Sequence, residues 1–284
     1  MKELIEKANI LMEALPYIKK FYGKTIVIKY GGSAMTNKEL KKLVCLDIIL
    51  MKYVGISPVV IHGGGKEISE LMIKLGKQPE FVNGQRVTDS ETVKIVEMVL
   101  SGTINKELVG IINNHGGNAV GLSGKDGNLI VAKKLKNKKP PAGDFLGEVK
   151  KINPEVINLL DEKGFIPVIS SVGMGEDGFT YNINADLAAG EIAAALGAEK
   201  LILLTDTPGV LDKEGNLIPH LDQAKIKKLI KSGVIQGGMM PKIGAGLKAL
   251  NAGVKKVHII DGKIEHSILL EIMTDKGVGT EIVK

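Results

Sequence analysis

Lys24-Thr-Ile-Val-Ile-Lys-Tyr30, with Gly31-Gly32-Ser33 directly behind it, is the stretch on which the architecture turns. Its apolar residues form a continuous run rather than an alternating one, the pattern of a strand buried on both faces, as in a parallel sheet. Runs of the same kind recur at Pro58–His62, Phe165–Val172, Lys200–Asp206 and Lys255–Asp261. Helical stretches separate them at Glu39–Tyr53, Glu67–Leu75, Glu91–Asn113, Asp186–Leu196 and Ala245–Asn251. Strand alternating with helix predicts an α/β fold, an open and mainly parallel sheet sandwiched between helices. Such sheets take ligands at the carboxyl ends of their strands, and the glycine-rich segments here follow strands.

Two regions depart from this rhythm. Gly116–Val149 places Gly, Lys and Pro turns between short apolar patches such as Leu129–Ala132, which predicts hairpins or loops projecting from the sheet. At the N-terminus, Ile10, Leu11, Ala14, Leu15, Ile18, Phe21 and Tyr22 recur at helical spacing. Pro16 lies inside that helix and predicts a kink. The stripe packs either on its own domain or on another subunit, and residues 1–23 form a unit of their own.

Composition narrows the classes. Of the 38 basic side chains, a single one is arginine, Arg86; the other 37 are lysine. A guanidinium offers a planar fork that fits a carboxylate or phosphate, and an ammonium does not. Arg86 therefore marks either a grip on an anionic ligand or a structural ion pair. The net charge of +6 and the pI near 9.1 suit acidic small molecules. Nucleic acid is disfavoured: the lysines are scattered, aromatic content is only 4% and tryptophan is absent, so stacking platforms are missing. The dense run Lys133–Lys139 leads into Pro140-Pro141 and predicts a solvated loop. No apolar run approaches the roughly 18 residues of a membrane span, and the first residues lack a signal-peptide core. The lone Cys45 excludes an internal disulfide framework, sits in an apolar stretch and points to a reducing, cytoplasmic setting.

Five segments carry chemistry. Lys29-Tyr-Gly31-Gly32-Ser33 and His62-Gly63-Gly64-Gly65-Lys66 let backbone N–H groups approach an oxyanion, or else are ordinary strand-to-helix turns. His62 itself is read as structural. Asn83-Gly-Gln-Arg86-Val87 holds the arginine. Tyr181-Asn182-Ile-Asn184-Ala185-Asp186 precedes an alanine-rich helix, where Asp186 is either a cap or a functional carboxylate. Gly237-Gly238-Met239-Met240-Pro241-Lys242 leads a glycine turn into a lysine. Gly173-Met-Gly175-Glu-Asp-Gly178 fits the dinucleotide pattern, but Phe-Thr-Tyr-Asn follows instead of a helix. No Walker-type phosphate loop is present.

Taken in order, KYGGSAM, HGGGKEI, NGQRVTD, YNINAD, LLTDTPGVL and GGMMPK resemble the amino-acid kinase family, over nearly the whole chain from about Ile10 to Lys284. Within it the motifs are most similar to the N-acetylglutamate kinases of the arginine-inhibited, hexameric type. The resemblance implies transfer of the γ-phosphoryl of ATP, with Mg2+ held mainly by ATP oxygens and water, to the side-chain carboxylate of N-acetyl-L-glutamate. It implies that Lys29 and Lys242 neutralise the transferring phosphoryl and the leaving phosphate, with Asp186 holding both lysines. Gly31 and Gly32 would donate to the phosphates, with Gly64 beside the transferring group. Arg86 would grip the substrate α-carboxylate, with Gly65, Asn182 and Ala185 at its acetamido end. Thr205, Asp206 and Val210, with Gly238 and Met239, would border the adenine. No protein metal ligand is implied. The acceptor lobe would span about 24–180 and the nucleotide lobe about 181–284. The helix of residues 1–23 and the run from Glu265 to Glu281 resemble the elements of feedback inhibition, with an arginine site at Tyr17, Lys200, Glu271 and Gly277. Related readings are a kinase for a longer acylated amino acid of the lysine pathway and an arginine sensor without turnover. Some family members bind a PII-type signalling protein; no motif in this sequence is assigned to that contact.

Overall fold

A computed structural model of the chain describes residues 1–284 apart from Ser33, Ala34, Thr36, Asn83 and 136–144. Ser33 of the first glycine segment, Asn83 of the arginine segment, and most of the Lys133–Lys139 run with its two prolines therefore lie outside the described residues. The chain opens with α1 (Lys2–Phe21), β1 (Thr25–Tyr30), α2 (Lys38–Tyr53), β2 (Ser57–His62) and α3 (Gly65–Lys74). A small hairpin, β3 (Phe81–Val82) and β4 (Gln85–Arg86), leads to α4 (Ser90–Glu97), a π-helical segment (Met98–Ile104) and α5 (Asn105–Asn114). Next come β5 (Ala119–Ser123), β6 (Ile130–Lys134), β7 (Leu146–Ile152), α6 (Glu155–Glu162), β8 (Ile166–Ser170), β9 (Val172–Gly175) and β10 (Thr180–Ile183). The last third holds α7 (Ala185–Ala195), β11 (Lys200–Thr205), β12 (His220–Leu221), α8 (Gln223–Lys231), α9 (Met239–Asn251), β13 (Lys256–Asp261), α10 (Ser267–Ile272) and β14 (Thr280–Ile282).

One eight-stranded sheet runs β12-β14-β13-β11-β1-β2-β8-β5. It is mainly parallel, and its one antiparallel pairing is β13 with β14. Alternation along each strand divides the core in two. Ile26, Ile28 and Tyr30 of β1, Val60 of β2 and Ile202 and Leu204 of β11 join the cluster on one face, with α2, the π-segment and α10. Val27, Val59, Leu201 and Leu203 join the other, with the alanines of α7 and with α9. Both faces are covered, so the strands read as unbroken apolar runs.

Three sequence expectations are refined. β5 is an edge strand of the main sheet, not a projection; only the following β6 and β7 leave it, closing a small barrel with β9 and β10. The predicted Glu91–Asn113 helix carries a π-helical segment in its middle. α9 starts at Met239, so Lys242 stands in a helical first turn instead of a glycine loop. The dinucleotide-like glycines lie on the antiparallel β9–β10 hairpin. α1 continues through Pro16, leaves Ile10, Leu11 and Leu15 exposed, and buries Phe21. No helix among the described residues is long and apolar enough to cross a membrane.

Candidate active site

The carboxyl ends of β1 and β2 lie side by side, and each runs straight into its glycine segment. The alternation that sends Val27 toward α7 sends Lys29 the same way. Its buried Nζ lies 3.0 Å from Asp186 Oδ1. Lys242 donates to Asp186 Oδ2 at 3.1 Å. Asp186 is not the helix cap: the Asn184 side chain accepts from the Asp186 and Leu187 N–H groups, which releases the Asp186 carboxylate to face both lysines. Burial pushes that carboxyl up, but Lys29 and Lys242 outweigh it and hold it below the usual carboxylate range. Two ammonium groups bridged by one carboxylate carry a net positive charge, suited to oxyanions.

Lys29, Asn184 and Asp186 line a cavity of about 280 Å³ together with Gly31, Gly64, Arg86 and Asn182. Gly32 borders it with a positive φ of 84°, and a Cβ there would fall 2.5 Å from Asp206 Oδ1. At Gly64 a Cβ would collide with Ile104 and Leu100, so only glycine brings the loop this close to the π-segment.

Arg86 reaches the cavity from β4, where it pairs across the hairpin with Phe81. The guanidinium lies over the Phe81 ring at 4.7 Å. Nη2 donates to Gly65 O at 2.6 Å and Ser69 Oγ at 2.8 Å, and Nη1 reaches Met72 Sδ at 3.2 Å. Arg86 is buried, and no ion pair to it is present among the described residues. Burial pulls its pKa below the ordinary guanidinium value. A buried cation without a counter-charge, on the wall of a cavity, fits an anionic ligand. Across the cavity Asn182 Nδ2 donates to Thr88 Oγ1 at 3.2 Å, and Thr88 in turn donates to Arg86 O.

A model of the amino acid kinase family matches residues 24–261. The chain belongs to the amino acid kinase family. It is 57% identical to the acetylglutamate kinase of Azoarcus sp. (strain BH72), over 97% of this chain and 94% of that one. It is 56% identical to the acetylglutamate kinase of Aquifex aeolicus (strain VF5), over 99% of both. Among solved structures, an N-acetylglutamate synthase from Neisseria gonorrhoeae, complexed with coenzyme A and N-acetyl-glutamate, superposes with a TM-score of 0.87 at 26% identity. That match covers 98% of this chain and spans 63% of the synthase. Giardia carbamate kinase shares the fold, with a TM-score of 0.67 at 19% identity over 92% of this chain and 99% of that one.

The family fold brings most of the predicted site together, but not all of it. Lys29, Gly31, Gly32, Gly64, Gly65, Arg86, Asn182, Ala185 and Asp186 line the cavity, and Lys242 joins through its bond to Asp186. Asp206 lines an adjoining recess with Gly32 and Lys66. Thr205, Val210, Gly238 and Met239 line neither. Thr205 closes β11, Gly238 precedes α9, and the buried Val210 donates its N–H to Thr280 Oγ1. Ser69, Met72 and Phe81, which hold the guanidinium, carried no sequence signal. Ser69 lies four residues beyond Gly65 on α3, one helical turn away, and its hydroxyl donates to Gly65 O.

A second recess of about 120 Å³ opens on the opposite face, and it contains all of Tyr17, Lys200, Glu271 and Gly277. The parity of β11 that places Ile202 in the first core cluster points Lys200 there too, 5.1 Å above the Phe21 ring. Lys200 donates to His258 Nε2 at 3.1 Å, so His258 carries its proton on Nδ1 and donates it to Glu271 Oε1 at 2.6 Å. Glu271 Oε2 accepts from the Val278 and Gly279 N–H groups. Burial draws Lys200 down to about 8. Tyr17 donates to Asp275 at the rim.

Proposed function

We propose that this chain transfers the γ-phosphoryl group of ATP to the side-chain carboxylate of N-acetyl-L-glutamate, giving N-acetylglutamyl 5-phosphate and ADP in arginine biosynthesis. The observation that carries the reading is one cavity with Lys29 and Asp186 on one wall, Lys242 bonded to that carboxylate, and on the other wall Arg86, which has no ion pair among the described residues. Acetylglutamate kinases more than half identical over nearly the whole chain support the choice of acceptor.

Attacking carboxylate and phosphoryl group are both anionic, so the task is charge neutralisation and in-line alignment. A carboxylate oxygen forms the new bond to γ-phosphorus while the bond to the β–γ bridging oxygen breaks, and ADP leaves with that electron pair. The acceptor has a pKa near 4 and is already ionised at neutral pH, so no general base is needed. Lys29 and Lys242 neutralise the transferring and leaving oxygens, and Asp186 fixes their spacing. N–H groups of Gly31 and Gly32 receive the phosphates, and Gly64 lies beside the transferring group. Arg86 takes the α-carboxylate; Gly65, Asn182 and Ala185 surround the acetamido end. Residues 24–180 then supply the acceptor side and 181–284 the nucleotide side, with Thr205, Asp206, Val210, Gly238 and Met239 around the adenine. The cavity offers lysines, amides and backbone N–H groups, a donor set for phosphate oxygens; Mg2+ is assigned to those oxygens and water.

Regulation belongs to the same proposal. A guanidinium ligand suits the Glu271 carboxylate in the second recess, which makes free arginine the inhibitor. The exposed stripe of α1 is assigned to hexamer assembly, and the compartment to the cytoplasm.

The test is coupled ADP release with ATP and magnesium, offering N-acetylglutamate, glutamate, aspartate and N-acetylaminoadipate in parallel, each with and without arginine. Turnover confined to N-acetylglutamate and suppressed by arginine is expected. Turnover indifferent to arginine would remove the second site; turnover with the adipate homologue alone would change the acceptor. Arginine binding with no turnover at all would make the chain a sensor.

A further inference from the structure

His62 is the last residue of β2 and is fully buried. It points to the face of Val60, away from Lys29, so its ring cannot touch the reacting groups. Its two nitrogens are nevertheless both committed. Nδ1 lies 3.0 Å from Gly63 O, and a carbonyl can only accept, so Nδ1 carries the proton. Nε2 is then a lone pair, and Asn105 Nδ2 donates to it at 3.1 Å. The same amide nitrogen faces Val168 O at 2.9 Å and Leu122 O at 3.2 Å, two pure acceptors that fix its orientation, so its two protons are shared among three acceptors. A proton on Nε2 would point at the Asn105 N–H groups. Tautomer and charge are therefore set by the fold, and burial, which pulls the imidazole down to about 4, acts in the same direction.

Asn105 stands where the π-helical segment ends and α5 begins. Such segments shift the register of a helix by one residue and occur at functional sites. Here the segment does two things to one loop. Leu100 and Ile104 press against Gly64, and Asn105, next after Ile104, reaches His62. Ser101 bonds Ser170 at the end of β8, tying the segment to the strand beside β2. Gly63 is thus held through its N–H by Tyr30 O and through its carbonyl by His62, and Gly64 is packed in place.

We propose that His62 is a positioning residue for phosphoryl transfer: its Nδ1–H, oriented by Asn105 at the end of the π-segment, fixes the Gly63 carbonyl and so aims the Gly64 and Gly65 N–H groups into the cavity. The inference rests on the proposed function, because it needs a transferring group for the loop to receive.

Two amide replacements separate positioning from mere filling of space. In His62→Asn the side-chain N–H group takes the place of Nδ1 and can still serve Gly63 O. In His62→Gln the amide lies where Nε2 was, meets Asn105 and abandons Gly63. Wild-type turnover with N-acetyl-L-glutamate is measured first, then both variants under the same conditions, with folding checked by circular dichroism. His62→Asn is expected to keep kcat within about fivefold of wild type, and His62→Gln to lose about 100-fold in kcat with both KM values little changed. Equal kcat per folded molecule in the two variants would overturn the inference, as would a glutamine variant whose loss lies in KM alone. Absence of wild-type turnover would instead reject the proposed function and the inference with it. Should His62→Gln fail to fold, Asn105→Ser replaces it: a serine leaves Nε2 without its partner, and wild-type kcat there would overturn the inference equally.

Discussion

Replacing Arg86 by lysine keeps the charge and removes the fork, and the geometry sets the size of the loss. A guanidinium has five N–H donors. Nη2 serves Gly65 O and Ser69 Oγ, and Nη1 approaches Met72 Sδ. The Nε–H and one Nη1–H remain as two donors on different nitrogens for an anionic ligand. An ammonium has one centre: if it stays with Gly65 O and Ser69 Oγ, a single proton is left for the ligand. The change forfeits one charge-assisted hydrogen bond of about 1.5–3 kcal/mol. At about 1.4 kcal/mol per factor of ten, the acceptor KM should rise about 10- to 150-fold. The stack on Phe81 weakens as well, since a flexible ammonium does not lie flat on a ring. Steady-state kinetics with the acceptor varied at saturating ATP, and the reverse, reads both constants. An acceptor KM within about threefold of wild type, or a rise confined to ATP, would refute the assignment of Arg86.

Lys242→Ala removes one of two cations on the transferring group, and kcat should fall by about 100-fold or more with the acceptor KM preserved; retained kcat would take Lys242 out of the mechanism. Glu271→Gln replaces the carboxylate facing the second recess by an amide, so inhibition by arginine should weaken about tenfold or more while uninhibited turnover is kept; an unchanged inhibition curve would vacate that site. Burial pushes the Cys45 thiol up to about 12, so it stays protonated in the fold. Its raised value means that its share of stability is whole below the ordinary thiol pKa of about 8.5 and fades as pH climbs toward the folded value. A disulfide reagent at neutral pH should label Cys45 only as fast as the protein opens, and rapid labelling of the native chain would contradict that burial.

The central strands were legible because burial on both faces leaves no alternation to misread: β1, β2, β11 and β13 fall within a residue of the apolar runs. β5 was not, because its burial is partial and glycines flank it, so Ala119–Ser123 looks like loop. The π-segment could not be read, since one extra residue per turn leaves the apolar spacing nearly intact. α9 was read short because Pro241 looks like a stop, whereas in a first turn its missing N–H costs nothing. Within the site, the uniqueness of Arg86 was visible in composition alone. The division of labour between Asn184 and Asp186 was not, because either side chain can cap a helix and only the approach of Lys29 and Lys242 separates them. Ser69 and Phe81 serve Arg86 through contacts that spacing does not encode.

The place of β1 in the sheet bears on how the chain is made. β1 carries Lys29 and is flanked by β2 and β11, one close in sequence and one far along it. A nascent chain therefore holds β1 as an open edge, one side paired with β2, until synthesis has passed Thr205. At about 5–20 residues per second that interval lasts on the order of ten seconds. Through it an apolar strand offers unsatisfied N–H and C=O groups to any extended neighbour. Lys29 lacks its carboxylate for most of that time, because Asp186 is made only near the end of the interval. The charge that binds phosphate in the finished protein is, during synthesis, a lone cation on an exposed edge, the kind of residue that keeps such edges from pairing with one another.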